Sequence, residues 1–387
     1  MATTSDIPPT APDSVVPVAP LNLAGQFADL REELTAELTE VAESGYYVLG
    51  PKVQEFESAL AEYCGAKHAL GLSSGTDALL TAMMALEIGA GDEVILPTFT
   101  FFGTAGTVAR LGAKPVFCDI EPETYNIDPA QLETLITDRT KAIMPVHLYG
   151  QLADMGAIGA IAARHELPVI EDAAQAIGAK SDAGKRAGAL GHFGCLSFYP
   201  TKNLGAMGDA GALLTDNSDL IEIARKLRIH GSGHTYYHER IGGNFRIDAL
   251  QAAILRKKLG HLEEWTERRR AVADRYTEWI AEAGMAPEHI QPPQTRFGRH
   301  VYHQYVVRAQ RRDELAAFMK NRKIGVGVYY PLPLHLQQCF ANLGHRPGDF
   351  PHAEKAAVEV LALPIYPELT HHQQRAVVAG LAAFYKD

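Results

Sequence analysis

Cysteine is scarce in this 387-residue sequence. The four cysteines, Cys64, Cys118, Cys195 and Cys339, are scattered, with neither the close pairing of a disulfide framework nor the spacing of a zinc site. We therefore expect free thiols in a reducing compartment. No apolar run has the length of a membrane span, and the start of the sequence lacks the basic and apolar regions of a signal peptide. These absences favour a cytoplasmic protein without a membrane partner.

An excess of positive charge is also missing. The chain has 36 lysines and arginines against 46 aspartates and glutamates, which gives a net charge of -10. This balance argues against binding to nucleic acid or to an anionic membrane through bulk charge. Any phosphate group that the protein binds must therefore be held locally. A hydrophobic content of 47% is ordinary for a globular protein with a large core.

Short apolar segments alternate with segments of helical periodicity through the first half of the chain. The pattern predicts strands at His68–Leu72, Glu93–Leu96, Pro115–Cys118, Ala142–Val146 and Pro168–Ile170. Repeats of strand, helix and strand require crossover connections, which produce parallel pairing. We therefore predict an α/β fold with a mainly parallel central sheet that is covered by helices on both faces.

The sequence predicts three parts along the chain. Residues 1–20 are rich in Pro, Ala, Ser and Thr and are expected to form a disordered or extended arm. Residues 21–250 are expected to form the large domain, and residues 251–387 a smaller C-terminal α+β domain, with the boundary inside a helical stretch that starts at Asp248. The elements predicted for the smaller domain are strands Tyr302–Val307 and Val326–Tyr329 and helices near 312–321, 352–362 and 371–384.

Two of the predicted strands end in segments that carry chemistry, and ligands of open parallel sheets bind at such ends. After the first strand, Ser73–Leu79 is a small, polar, glycine-bearing turn that opens a helix, which suits a phosphate group. The alternative is a serine or threonine that only caps the helix. After Pro168–Ile170, the segment Glu171–Ala176 places carboxyl and amide groups on an apolar strand end, which predicts a bound cation or ligand. A structural salt bridge is the alternative.

A single lysine, Lys202, stands in the segment Ser197–Gly205, with no other charged residue before Asp209. Burial would lower the pKa of this amine, and a neutral amine can attack a carbonyl group. Our hypothesis is that Lys202 forms a Schiff base. The alternative is a loop lysine whose amine reaches water.

Two other patterns carry no prediction of function. His230, His234 and His238 are separated by glycines and are not joined by cysteines or acidic residues, so no metal site is expected. The glycines at 205, 208 and 211 follow the lysine instead of joining a first strand to a helix, and so they do not form a dinucleotide fingerprint.

Beyond these motifs, an ordered set of segments covers nearly the whole chain from about Leu21. The segments are Gly50–Glu57, Ser73–Leu79, Gly91–Pro97, Glu171–Ala176, Ser197–Gly205, Gly243–Arg246 and Leu363–Pro367. Together they resemble the fold-type I pyridoxal phosphate enzymes of the aspartate aminotransferase superfamily, and more closely the DegT/DnrJ/EryC1/StrS family of sugar aminotransferases. The resemblance implies an enzyme with the fold-type I architecture.

The resemblance also implies a cofactor and roles for the residues around it. The cofactor would be pyridoxal 5'-phosphate, with pyridoxamine 5'-phosphate as its intermediate form. Lys202 would carry the cofactor as a Schiff base and then move the proton during catalysis. Asp172 would face the pyridine nitrogen and act with Lys202 in catalysis, while Gln175 would hydrogen-bond the ring hydroxyl oxygen.

The remaining cofactor contacts are implied in the same way. Gly75, Thr76 and Ser197 would hold the phosphate, and Phe101 would stack on the ring, although a phenylalanine is also ordinary at the end of a core strand. Asn244 would reach the phosphate bound by the neighbouring subunit, which implies a homodimer.

The implied reaction moves an amino group from L-glutamate to a keto-sugar linked to a nucleoside diphosphate, in two half-reactions, for amino-sugar biosynthesis. The sequence of residues 242–246 and the loop before them favour amination at C3 of the hexose. Amination at C4 remains an alternative. Many relatives carry His-Tyr-Pro where this chain has Tyr329-Tyr330-Pro331, so a histidine contact to the sugar is not expected there.

Two alternative functions remain open. One is a sugar dehydratase, but relatives of that branch replace the lysine by histidine, so Lys202 argues against it. The other is a non-catalytic regulatory protein that binds the cofactor. The chain argues against this alternative because it has no additional DNA-binding segment and carries a net negative charge.

Overall fold

The computed structural model describes residues 16–386. Its strands are β1 (His68–Leu72), β2 (Glu93–Pro97), β3 (Lys114–Cys118), β4 (Thr140–Ile143), β5 (Ile170–Asp172), β6 (Phe193–Ser197), β7 (Gly211–Thr215), β8 (Ser232–His234), β9 (Tyr237–His238), β10 (Ile290–Gln291), β11 (Tyr305–Ala309) and β12 (Val360–Leu363).

The helices occur before, between and after these strands along the chain. They are α1 (Leu23–Asp29), α2 (Arg31–Ser44), α3 (Pro51–Cys64), α4 (Gly75–Ala85), α5 (Phe102–Arg110), α6 (Leu132–Leu135), α7 (Met155–Arg164), α8 (Ser218–Arg228), α9 (Ala249–Leu259), α10 (Leu262–Glu282), α11 (Arg312–Asn321), α12 (Pro351–Glu359) and α13 (His371–Lys386). Among the described residues, none of these helices is long and apolar enough to cross a membrane.

The central sheet has the strand order β1-β7-β6-β5-β4-β2-β3. The first four strands and the last three form two ladders, which are joined by the parallel bridges Ile143–Val169 and Val146–Asp172. Strand β7 runs antiparallel to both of its neighbours, and the other pairings are parallel. The prediction of a mainly parallel sheet is therefore confirmed, with one reversed strand. Strands β2, β6 and β7 are almost wholly buried because helices cover both faces.

A second, antiparallel sheet of β10, β11 and β12 supports the C-terminal part of the chain. Two predictions for this part were wrong. Residues 360–362, expected within a helix, belong to β12, whose apolar side chains pair with β11. The expected strand Val326–Tyr329 is reduced to one bridge between Gly327 and Ala362. Short apolar runs such as these do not distinguish strand from helix by periodicity alone.

The α9 and α10 helices contribute side chains to different cores. In α9, Ala252 and Leu255 belong to the core of the central sheet, whereas α10 contributes Val272 and Tyr276 to the core around β11. The division of the chain after residue 250 stays a prediction. Of the predicted arm, residues 1–15 lie outside the described part of the chain. Val18 is buried and pairs through its backbone with residues 323–325.

Candidate active site

The strand order brings the predicted site residues to one edge of the central sheet. Both β1 and β6 run antiparallel to β7, so β1 and β6 are parallel to each other and end at the same edge. The parallel pairings of β6 with β5 and of β4 with β2 place the ends of β5 and β2 there as well. Asp172, Ser197, the start of α4 and the segment before Phe101 therefore lie at this edge.

The turn after β1 combines a capped helix with free backbone donors. Ser74 is the N-cap of α4, and its hydroxyl accepts a hydrogen bond of 3.0 Å from the Asp77 N–H. The N–H groups of Gly75 and Thr76 donate to no acceptor among residues 16–386. A Cβ on Gly75 would lie only 2.7 Å from the Cβ of Ser197, so glycine permits this close approach. The turn offers an anion two N–H groups at a helix N-terminus, with the Ser197 hydroxyl close by.

Asp172, at the end of β5, is a buried carboxylate that accepts hydrogen bonds from two groups. The Thr104 hydroxyl donates to its Oδ2 at 2.7 Å, and the Ala174 N–H donates to its Oδ1 at 3.2 Å. Burial raises the pKa of Asp172, and these two hydrogen bonds and the charge of Lys202 oppose that rise. The side chain therefore keeps capacity to accept a hydrogen bond from a cationic ligand.

Lys202 lies in a tight turn at the same edge. Its backbone N–H donates to the Tyr199 carbonyl at 2.8 Å, and the Ala206 N–H closes the turn on Phe198 at 2.8 Å. Burial lowers the pKa of the Lys202 amine to about 8, and the negative charge of Asp172 partly offsets this effect. A substantial fraction of the amine is therefore neutral near pH 8, which is the state that a nucleophile needs.

Gln175 is held from two sides. Its Oε1 accepts a hydrogen bond of 2.7 Å from the backbone N–H of Tyr149, and its Nε2 donates to the Tyr330 hydroxyl at 3.2 Å. Because the amide orientation is fixed by these contacts, Nε2 is the atom that faces a ligand beside Tyr330.

Phe101 stands at the start of α5 with 57% of its surface exposed. Its ring centroid lies 6.4 Å from that of Tyr330. Gly103 lies between Phe101 and the turn after β1, since a Cβ on Gly103 would be 3.1 Å from the Phe101 ring and 3.3 Å from Thr76 Oγ1. The exposed ring therefore adjoins both the turn and Tyr330, where it can cover a planar ligand.

Asn244 is exposed, and its backbone lies near the turn after β1 of its own chain. Residue 246 bridges Leu72, and the Phe245 carbonyl accepts a hydrogen bond of 2.9 Å from the Ser73 N–H. The contact of Asn244 with a neighbouring subunit stays a prediction.

Glu171, the residue before Asp172, makes a different set of hydrogen bonds from those of Asp172. Its carboxylate accepts hydrogen bonds of 2.8, 2.7 and 2.6 Å from the N–H groups of residues 188, 190 and 191. His147 Nδ1 accepts from the Ala153 N–H, so its Nε2 carries the proton and donates to Glu171 at 2.8 Å. Glu171 is therefore paired within the protein, as the structural alternative required, but by hydrogen bonds and not by a salt bridge.

The sequence reasoning missed several residues of the site. Thr104, Tyr149 and Tyr330 contact the predicted residues directly. Thr104 and Tyr149 carried no signal in the sequence. Tyr330 had one, because the Tyr-Tyr-Pro segment was recognised as a departure from the family pattern, but no role followed from it.

The polar groups at this edge of the sheet fit pyridoxal 5'-phosphate. An aldehyde needs a neutral amine, a pyridinium nitrogen needs a carboxylate, a ring oxygen needs an N–H donor and a phosphate needs free backbone N–H groups. Lys202, Asp172, Gln175 and the turn at Gly75 supply these groups at one edge of the sheet. The fold and the site therefore define a fold-type I pyridoxal phosphate enzyme.

Comparisons with known proteins give the family. A sequence model of the DegT/DnrJ/EryC1/StrS aminotransferase family matches residues 28–382, so the chain belongs to this family. A protein of Geobacillus stearothermophilus named "Pleiotropic regulatory protein" is 53% identical over 95% of this chain and 98% of its own length. The UDP-2-acetamido-2-deoxy-3-oxo-D-glucuronate aminotransferase of Pseudomonas aeruginosa is 44% identical over 93% and 98%.

A solved structure agrees with the family assignment. The crystal structure of DesV from S. venezuelae, in complex with a ketimine intermediate, superposes with a TM-score of 0.92 at 41% identity and covers 96% of this chain and 99% of DesV. The predictions of the fold class, of an aminotransferase and of pyridoxal 5'-phosphate as cofactor are confirmed.

Proposed function

We propose that this enzyme transfers the amino group of L-glutamate to the C3 keto group of a hexose linked to a nucleoside diphosphate, for amino-sugar biosynthesis. The observation that carries the proposal is the Lys202 amine, whose pKa is lowered to about 8 opposite the Asp172 carboxylate. The Pseudomonas relative supports the substrate class, because its name specifies a 3-oxo sugar linked to UDP. Amination at C4 is the alternative that the test must separate.

Lys202 and Asp172 divide the acid-base work. When bound, the cofactor supplies a carbonyl for amines and an electron-poor ring that stores an electron pair. With the cofactor bound, the Lys202 Nζ would be the group that carries the proton between the substrate carbon and C4' of the cofactor in each half-reaction. The Asp172 carboxylate holds a proton on the ring nitrogen, and Thr104 keeps that carboxylate in place.

The other residues orient the ring and exclude water. Gln175 Nε2 donates to the ring hydroxyl oxygen, because its Oε1 is already held by Tyr149. Gly75, Thr76 and Ser197 hold the phosphate.

Two further contacts complete the proposed site. The ring of Phe101 covers one face of the cofactor. Asn244 reaches the phosphate of a neighbouring subunit in a homodimer, and its exposure in the single chain is compatible with that role.

The test is a substrate panel. Purified protein with pyridoxal 5'-phosphate and L-glutamate is incubated with 3-keto and 4-keto hexoses linked to UDP, dTDP or GDP, and mass spectrometry and NMR identify the aminated position. We expect amination at C3. Lys202→Ala should abolish turnover and keep the fold, whereas Lys185→Ala, which changes an exposed lysine, should retain both. Amination at C4, or an active Lys202→Ala variant, would contradict the proposal.

The second candidate is a non-catalytic regulatory protein that binds the cofactor. It is favoured by the name of the Geobacillus relative, which describes a regulatory protein. Turnover with any keto-sugar nucleotide in the panel would eliminate it, because a regulatory protein needs only to bind.

A further inference from the structure

Lys258 is a buried lysine that none of the roles above uses. It lies on α9, and it is only 5% exposed. Burial lowers the pKa of its amine to about 8, so the amine is mostly charged at pH 7. Within residues 16–386 the amine forms no ion pair, and it donates to two neutral oxygen atoms instead. A buried cation without a counter-ion costs free energy, so we asked what these two hydrogen bonds do.

The first bond reaches the lysine turn, which we define as residues 198–206. The Lys258 Nζ donates to the Gly205 carbonyl at 2.8 Å. The same peptide group carries the Ala206 N–H, which closes the turn by donating to the Phe198 carbonyl at 2.8 Å. A cation at the carbonyl oxygen polarises the peptide group and strengthens the donation from its N–H. The ammonium therefore acts on the hydrogen bond that closes the turn.

The lysine turn depends on side chains from other segments for its shape. Its residues belong to no helix or strand. The Nδ2 of Asn203 donates to the Val301 carbonyl at 3.0 Å, and directly after the turn the Met207 N–H donates to Oε1 of Gln251 at 2.8 Å. These are neutral contacts, whereas a hydrogen bond from a charged donor is roughly twice as strong. The bond from Lys258 is therefore a major restraint on the turn.

The second bond joins Lys258 to the N-terminal segment. The amine donates to Oε1 of Gln26, on α1, at 3.0 Å. Helix α1 contains no buried residue, and Gln26 connects this surface helix to the interior. Further toward the N-terminus, the backbone of Val18 pairs with residues 323–325. The segment from Val18 to Gln26 thus runs from the C-terminal part of the chain to the amine that holds the lysine turn.

We propose that Lys258 is a positioning residue for Lys202: its ammonium holds the lysine turn closed through the Gly205 carbonyl and couples this closure to the docking of α1 through Gln26. The closed turn presents the Lys202 amine to the aldehyde of the cofactor in a fixed position. The inference rests on the proposed role of Lys202, and its tests require no turnover.

The first measurement is hydrogen exchange of the full-length chain, with mass spectrometry of the peptide that covers residues 198–206. In Lys258→Met, which keeps a side chain of similar length without charge, this peptide should exchange about tenfold faster or more, because a buried hydrogen bond to a charged group is lost. Peptides that cover β1 and β7 should exchange as before. Lys257→Met is the matched control, since the neighbouring side chain is 42% exposed and pairs with Glu37. An unchanged turn peptide, or faster exchange throughout the sheet, would overturn the proposal.

The second measurement separates the positioning of Lys202 from a general structural role. Pyridoxal 5'-phosphate bonds to the Lys202 amine, whereas pyridoxamine 5'-phosphate has no aldehyde and uses only the other contacts of the site. In Lys258→Met the dissociation constant of the aldehyde form should rise about tenfold, and that of the amine form should stay the same, both measured by fluorescence titration. An equal change in the two constants, or no change in either, is the result that the proposal does not survive.

The coupling to α1 is tested with Gln26→Leu. This change removes one acceptor from the Lys258 amine, so the turn peptide should exchange faster, but by a smaller factor than in Lys258→Met. Added to Lys258→Met, it should have no further effect on the turn, because Gln26 reaches the turn only through that amine. Independent effects of the two changes would refute the coupling.

Gln26→Leu also protects the test against misfolding. Gln26 is half-buried on a surface helix, so this variant can be measured even if Lys258→Met does not fold, and an unchanged turn peptide in Gln26→Leu would then contradict the proposal. The substrate panel does not depend on any of these outcomes, so the two proposals can fail separately.

Discussion

Removal of the Thr104 hydroxyl should raise the pKa of Asp172. In Thr104→Val the shape of the side chain is kept, but Asp172 loses the hydrogen bond of 2.7 Å at Oδ2 and retains only the Ala174 N–H at 3.2 Å. Hydrogen bonds to charged groups contribute about 1.5–3 kcal/mol, which corresponds to a rise of about one to two pKa units. Since burial already raises the pKa of Asp172, this rise adds to an existing one.

The sign of the pH effect follows directly. An aspartate with a raised pKa stays protonated to higher pH, and a protonated Asp172 cannot stabilise a cationic ring nitrogen. The acid limb of the profile of kcat/KM against pH should therefore move to higher pH by about one to two units in Thr104→Val. The folded state should also lose stability as the pH rises from the unfolded pKa of aspartate to the raised folded pKa, because the ionised buried carboxylate then has one hydrogen-bond donor fewer.

Thr104→Ser is the matched control, because it keeps the hydroxyl that donates to Asp172 and accepts from Thr100, whose hydroxyl lies 3.1 Å away. Its acid limb should coincide with that of the unsubstituted enzyme. If Thr104→Val and Thr104→Ser give the same acid limb, the hydrogen bond does not set the proton affinity of Asp172, and the reasoning is refuted.

Two further predictions concern the frame of the site. Glu171→Gln should lower the free energy of unfolding in urea by about 1–3 kcal/mol, because the amide cannot accept all four of the buried hydrogen bonds that the carboxylate accepts from three backbone N–H groups and His147; Glu43→Gln, at an exposed helix position, should leave it unchanged, and equal stabilities would contradict the assignment. Gly75→Ala should weaken the binding of pyridoxal 5'-phosphate by about tenfold or more in a fluorescence titration, because its Cβ would lie 2.7 Å from Ser197. Gly89→Ala is the control, since the nearest atom would be 3.9 Å away, and full affinity in Gly75→Ala would show that the turn adjusts.

The adjacent carboxylates show how far the sequence could lead. The strand end at Glu171 and Asp172 predicted buried acids that need partners, but it left a ligand and a salt bridge as alternatives. Successive side chains of a strand point to opposite faces, so the two residues cannot share one task. Glu171 faces the loop at residues 188–191, and Asp172 faces Thr104. Deciding which face holds the ligand required the position of Lys202, which only the assembled sheet provides.

Residues that support the site from elsewhere in the chain could not be predicted in this way. Tyr149 holds Gln175 through its backbone N–H, a group that every residue type except proline carries, so the residue type gave no signal of this contact. Thr104 lies within a run of small residues where a threonine has no distinctive signal. The lysine turn was predictable because a lone charge in an otherwise uncharged segment is unusual, whereas contacts between distant segments depend on the strand order.

Tyr330 links the C-terminal part of the chain to the cofactor edge. Its hydroxyl accepts from Gln175, and its ring lies 6.2 Å from that of Phe99 and 6.4 Å from that of Phe101. The Tyr149 hydroxyl also donates to the Tyr329 carbonyl. A shift of residues 329–330 would therefore disturb Gln175 directly and Phe101 through ring contact. The departure from His-Tyr-Pro consequently lies in the segment that contacts Gln175, the proposed donor to the ring hydroxyl, so exchange of Tyr329 should be read out on cofactor absorption as well as on sugar specificity.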